Sequence, residues 1–191
     1  MIISQYLQST VSLVCSQVTG DEPISLDEAK LYLRVDTDDD DTLITTMISA
    51  ARANAEGRTH RVIRQSTWQW VVSGLSGVVQ VPITPCSACG SITVNGETVD
   101  PSLYTFQPGG IGAPLFATIE VPHGFPEDQA TVVLTCGYAN NTVPEDIIKW
   151  MFTRLGDFYE QRESYVSGSN FFEFSRNFVD SLLDPYLIPD C

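Results

Sequence analysis

Lysine is almost missing from this 191-residue chain, which carries only Lys30 and Lys149. Lysine and arginine together number 10 against 24 aspartates and glutamates, so the formal net charge is -14. From Gln65 to Ile148 there is no Lys or Arg at all. A free-standing nucleic-acid binder needs a cationic footprint, and this balance argues against one. No apolar run approaches the roughly 20 residues of a bilayer-spanning helix, so an integral helical membrane protein is excluded. Cysteine is sparse and odd in number, at 5. Cys15, Cys86, Cys89 and Cys136 sit among apolar neighbours and Cys191 is terminal. That usage predicts thiols in a reducing compartment, not a disulfide framework. What the chain does have is 43% hydrophobic residues with 18% charged. That is enough to bury a sizeable core in one large domain or a domain with an insert.

The first 19 residues hold no cation, and Gln5, Gln8, Ser9, Thr10 and Ser12 break their apolar character. A secretory signal wants a basic start and a small-residue cleavage site. Residues 1–21 therefore read as an extended N-terminal arm. The next segment, 22–64, reads as helical. Ser25 and Glu28 form a capping box, and Leu26, Ala29 and Leu33 share one face. After an acidic turn, Leu43, Ile44, Met47, Ile48, Ala51 and Ala55 keep amphipathic helical spacing. That helix ends near Gly57 to His60, with arginines where the negative end of the dipole favours cations.

Residues 65–137 read as an inserted β domain. Trp68, Trp70 and Val72 alternate, as do Val79, Val81 and Ile83. Asn95-Gly96 between Ile92–Val94 and Glu97–Val99 is a hairpin signal. Tyr104 with Phe106, Ile119 with Val121, and 131–136 supply further strands. Short strands separated by Gly and Pro predict a small antiparallel sandwich or barrel-like unit. Residues 138–163 return to helix, with Pro144 in the first turn and Ile147, Ile148, Met151, Phe152, Leu155, Phe158 and Tyr159 forming an apolar stripe. Residues 164–191 read as a polar loop and a C-terminal segment with Phe178, Val179, Leu182 and Leu183 on one face. The fold class is thus α+β. Two N-terminal helices and one long C-terminal helix form a body, and neither stripe of the second and third helices can stay wet, so they must pack together.

No catalytic, cofactor or metal site survives inspection. The run Asp36 to Asp41 resembles a calcium loop, but Asp41 stands where the turn needs Gly and Met47 where it needs a bidentate Glu. The acids fit better as a cap on the second helix. Cys86-Ser87-Ala88-Cys89 lacks a second ligand pair and reads as two buried or half-buried thiols flanking a turn. Ser76 in Gly74-Leu75-Ser76-Gly77-Val78 misses the closing Gly of a nucleophile elbow, and only His60 and His123 are available as base. Gly109-Gly110-Ile111-Gly112 is not followed by a helix pattern, so a phosphate cradle is not expected. Trp68, Trp70, Tyr104 and Phe106 suit a core better than a stacking platform. Phe171, Phe172 and Phe174 either close the helical body or dock on a partner.

The order of these motifs resembles the head–tail connector (adaptor) proteins of long-tailed bacteriophages. The resemblance rests on Ile24-Ser25-Leu26-Asp27-Glu28-Ala29-Lys30 with Leu33-Arg34-Val35-Asp36. It continues through Asp41-Thr42-Leu43-Ile44, Ile48-Ser49-Ala50-Ala51-Arg52 and Gly57-Arg58-Thr59-His60-Arg61. Gln65-Ser66-Thr67-Trp68 and Gly137-Tyr138 with Val143-Pro144-Glu145-Asp146-Ile147 follow, and Phe158-Tyr159-Glu160-Gln161-Arg162-Glu163 closes the series. The arm 1–21 and the loop 164–176 match nothing in that pattern.

The resemblance implies a structural protein and not an enzyme, without cofactor. It implies a ring, usually of twelve copies, below the portal. Such a ring extends the DNA channel and joins the capsid to a stopper or tail-terminator protein. DNA would pass without specific binding, no membrane is involved, and the place is the virion neck, after assembly in the host cytoplasm. Ring closure needs a head-to-tail interface. Arg52, Arg58, Arg61 and Arg64 oppose Asp38, Asp39 and Asp40 in sign and are candidates to pair between copies. Phe178, Val179, Leu182, Leu183, Tyr186 and Leu187 are the candidate portal-docking set. The alternatives are another neck component, or a carbohydrate-binding module built on the aromatic β unit. Exposed, coplanar Trp68 and Trp70 would favour the sugar reading.

Overall fold

A computed structural model describes residues 9–110, 114–122, 129–160 and 179–188. The chain divides into two compact units, Met1–Gly20 with Arg64–Ala139, and Asp21–Ile63 with Asn140–Cys191. Together they hold helices and antiparallel sheets, an α+β composition.

The first unit is β. Its described strands are Ser9–Val18 (β1), Ser66–Ser73 (β2), Gly77–Gln80 (β3), Cys86–Val94 (β4), Glu97–Thr98 (β5), Thr105–Gln107 (β6), Thr118–Val121 (β7) and Gln129–Cys136 (β8). They form a five-stranded sheet, β1-β2-β8-β4-β5, and a three-stranded sheet, β3-β7-β6. Every strand pair is antiparallel. Period-2 alternation decides which side chains go inward. On β8, Ala130, Val132, Leu134 and Cys136 are buried between half-buried Thr131, Val133 and Thr135. Trp70, Val72 and Ile92 join them in the core. The Asn95-Gly96 turn has positive φ at both residues, 53° and 83°, as a two-residue type I′ hairpin requires.

Two expectations are corrected here. Residues 9–18 are not a separate arm but the edge strand of the larger sheet, with Leu13 opposite Trp70 and Cys15 opposite Trp68. The strand was hidden because its polar and apolar residues do not alternate cleanly, and two register irregularities, at Thr10/Ser12 and Cys15/Gln17, explain why. Likewise Cys86 and Cys89 do not flank a turn. Both lie within β4, which has irregularities at Cys86/Ala88 and Cys89/Ser91.

The second unit is helical: Leu26–Leu33 (α1), Asp41–Thr59 (α2) and Glu145–Glu160 (α3), followed by a 3-10 segment, Ser181–Tyr186. The capping box forms as read: Ser25 Oγ accepts from Glu28 N–H at 3.3 Å and Glu28 Oε2 accepts from Ser25 N–H at 2.9 Å. Arg34 and His60, both in the left-handed region, end α1 and α2. The α2 stripe buries Ile44, Ile48, Ala51 and Ala55, and its small residues let α3 approach closely. From α3 come Ile147, Trp150, Met151 and Leu155.

Candidate functional site

The acidic loop between α1 and α2 is held by local partners. Lys30 Nζ lies 2.6 Å from Asp38 Oδ1 and 2.8 Å from Asp41 Oδ1. That contact raises the Lys30 pKa and lowers that of Asp38. Asp40 occupies the N-cap position of α2, but its carboxylate accepts from Tyr159 Oη at 2.8 Å instead of capping. Asp36 and Asp39 are exposed. Among the described residues no group of three or more His, Cys, Asp or Glu is arranged to hold a metal ion.

The four arginines read as an inter-subunit cluster all have partners within the chain. Arg52 bridges Glu22 at 2.8 Å and Glu56 at 2.7 Å. Burial disfavours its charge, but the two carboxylates outweigh that and raise its pKa. Arg61 is buried, 4% exposed, and its Nε–H donates to the Tyr186 carbonyl at 2.7 Å. Arg64 Nε–H donates to the Gly20 carbonyl at 2.8 Å. Only Arg58, paired with Asp180 at 2.8 Å, keeps a substantially exposed side chain, at 44%. Arg61 thus turns its guanidinium inward to the C-terminal segment, with Nη1 buried and no hydrogen-bond partner there, which does not fit the exposed ion pair between copies read from sequence.

That segment is also different from the sequence reading. Leu183 and Tyr186 are 1% and 9% exposed, packed against α2 and α3, so they belong to the core of their own unit and not to a portal-facing surface. The Tyr186 hydroxyl donates to Asp146 Oδ2 at 3.2 Å. Val179 and Leu182 are half-buried, Leu187 is 44% exposed, and Phe178 lies outside the described residues, as do Phe171, Phe172 and Phe174.

A cluster that sequence reading did not find anchors the segment. Trp150 Nε1–H donates to Asp180 Oδ1 at 3.1 Å, and Arg154 Nη2 reaches the same oxygen at 2.8 Å. The Arg58 and Arg154 guanidiniums lie 6.0 and 5.1 Å from the Trp150 ring, within cation–π range. Burial would raise the Asp180 pKa, but the hydrogen bonds from Trp150 and Arg154 and the charges of Arg58 and Arg154 lower it. The sequence signal was the i, i+4 pair Trp150 and Arg154 on α3; Asp180 has no local pattern to announce it.

In the β unit, Trp70 is 1% exposed and its Nε1–H donates to Thr10 Oγ1 at 3.1 Å. Half-buried Trp68 donates to Ser66 Oγ at 2.8 Å. The pair does not form an exposed sugar platform. Ser76 lies in the β2–β3 connection, His60 ends α2, and His123 is outside the described residues. No described helix is long and apolar enough to cross a membrane.

Residues 23–97 match the model of the phage gp6-like head-tail connector family, so the family resemblance read from the motifs is shown over that span. No curated protein matches the chain significantly. Among solved structures, a chain in the neck of an empty gene transfer agent (GTA) particle, computed with C6 symmetry, is 17% identical with a TM-score of 0.68. The match covers 94% of this chain and 97% of that one. A chain in the virion of the native GTA particle is 16% identical with a TM-score of 0.68, over 97% of each. A chain in the native GTA neck computed with C12 symmetry is 16% identical with a TM-score of 0.61, covering 91% of this chain and 96% of that one. At these identities the likeness is one of fold.

Proposed function

We propose that this chain is a structural head–tail connector of a tailed phage-like particle: one subunit of a ring in the virion neck, below the portal, that extends the DNA channel. The observation that carries the reading is the coincidence of the family match with a fold shared end to end with neck proteins. Twelve copies is the proposed number. A ring of twelve contains sixfold symmetry, so it accommodates relatives in necks computed with C12 and with C6. Its neighbours are the portal on one side and a stopper or tail-terminator protein on the other. Assembly takes place in the host cytoplasm, and no catalysis is assigned.

The charge distribution supports a passive channel. Arg64 is the one Lys or Arg in the sequence of the β unit, and it is engaged with Gly20. A wall so poor in cations offers phosphate no counterion-releasing contact, and DNA slides past it. Portal docking is assigned to the part of the C-terminal segment left at the surface: Val179, Leu182 and Leu187. Buried Trp70 removes the main support for sugar binding.

The test is a native mass measurement of the protein alone and with its portal. The expected result is a closed ring, formed either alone or on portal contact. A chain that stays monomeric beside assembled portal overturns the reading.

A further inference from the structure

Cys86 and Cys136 stand directly opposite each other on β4 and β8. Their ladder position can be worked out from hydrogen bonds. Cys86 N–H donates to the Gly109 carbonyl at 2.9 Å, and Gly109 N–H donates back to the Cys86 carbonyl at 3.0 Å. A residue in a strand points both backbone groups to one side, so Cys86 turns its own away from β8. The next bond confirms it, for Gly137 N–H donates to the Pro85 carbonyl at 2.9 Å. Cys86 and Cys136 are therefore a non-hydrogen-bonded pair, the position where antiparallel strands bring side chains closest, with Cα atoms about 4.5 Å apart. A disulfide spans about 4.4–6.8 Å between Cα atoms. Both thiols are fully buried on the same face of the sheet.

We propose that Cys86 and Cys136 are a paired oxidation site, which a peroxide converts into a disulfide tying β4 to β8. The Cys86 thiolate attacks the peroxide, forming an S–O bond as the O–O bond breaks, and hydroxide leaves. The Cys86 sulfur is oxidised by two electrons to a sulfenic acid. The Cys136 sulfur then attacks it; the S–S bond forms, the S–O bond breaks, and the departing hydroxide takes the Cys136 proton as water. Net, two thiols and one hydrogen peroxide give one disulfide and two waters. The choice of Cys86 over Cys89 follows from their surroundings. The Cys136 thiol hydrogen-bonds Cys86 and lowers its pKa, whereas burial pushes Cys89 up to about 11 despite its contact with Tyr104. Only an accessible thiolate reacts readily, so peroxide reaches the 0% exposed Cys86 when the N-terminal end of β4 opens locally. The crosslink would staple the adjoining ends of β4 and β8 once the protein has left a reducing compartment. The inference rests on the strand register, the backbone hydrogen bonds and the surroundings of the thiols, and does not depend on ring formation.

The experiment uses the full chain carrying Cys15→Ser and Cys191→Ser, which leaves thiols at 86, 89 and 136. Treatment with hydrogen peroxide is followed by intact mass, thiol titration and non-reducing peptide mapping. The expected result is a mass loss of two hydrogens, one remaining thiol, a peptide joining Cys86 to Cys136, and a higher melting temperature than the reduced protein. Adding Cys89→Ser should leave the crosslink intact, and Cys136→Ala should replace it with oxygen addition at Cys86. A crosslink to Cys89, oxygen addition without any crosslink, or an oxidised form that melts lower than the reduced one overturns the proposal.

Discussion

Asp180 carries more of the helical unit than its exposed-sounding position near the chain end suggests. Its carboxylate faces Trp150, Arg154 and Arg58 at once, and both side chains of the Arg154 pair are mostly buried. Asp180→Asn keeps an acceptor but takes the carboxylate from Arg58 and leaves Arg154 with the more exposed Asp157 alone, and should lower stability by about 1–3 kcal/mol at neutral pH. Its depressed pKa sets the sign of the pH effect. The stabilisation is full above the unfolded value of about 3.9 and is lost as pH falls through the lower folded value. Denaturant titrations should therefore show the wild type losing its advantage over Asp180→Asn only below about pH 4. Gly137 makes a second prediction. Its φ is +88°, and an added Cβ would sit 2.5 Å from the Arg64 carbonyl oxygen. Gly137→Ala should cost about 1–3 kcal/mol, read as a lowered melting temperature. Gly137 stood out in sequence only as part of a motif and Asp180 not at all, because a long-range ion pair and a backbone crowding at Arg64 leave no periodic trace.

Elements announced by local chemistry were readable, and elements held by distant partners were not. The capping box at Ser25 and Glu28, the α2 stripe and the Asn95-Gly96 hairpin all form where the residues placed them. Ser25→Ala should destabilise α1 by about 1 kcal/mol, measured by chemical denaturation. By contrast β1 is a strand because β2 lies beside it, and its exposed Val11, Val14 and Val18 look the same in a strand or an arm. Residues 181–186 are anchored by α2 and α3, not by a pattern of their own. Truncation after Asp180 removes buried Leu183 and Tyr186, and should cost about 2–5 kcal/mol, so loss of portal attachment in that variant would report unfolding. Leu187→Asp separates the two effects. At an exposed position it should shift the melting temperature little while weakening portal binding in a pull-down with purified portal.

At the scale of the whole molecule, the proposed ring would bring twelve charges of -14 together, so its stability should rise with salt if repulsion dominates. With Arg52, Arg61 and Arg64 committed internally and Asp38 paired with Lys30, Asp39 and the exposed Arg58 are the members of that charge set proposed to face a neighbour. Asp39→Lys should leave the melting temperature of the subunit unchanged and alter the salt midpoint of ring assembly in native mass spectra. An unchanged midpoint would take this loop out of the interface.

The interleaving of the two units has a consequence for biosynthesis. Strand β2 is flanked on one side by β1, already synthesised, and on the other by β8, with Ser66 opposite Cys136. The helical unit waits longer still, for the segment that ends at Tyr186. At ribosomal speeds of roughly 5–20 residues per second, neither half can finish folding until its most distal piece emerges. Nascent chains stalled before residue 129 would carry β2 with one edge bare, the kind of unpaired strand that chaperones shield.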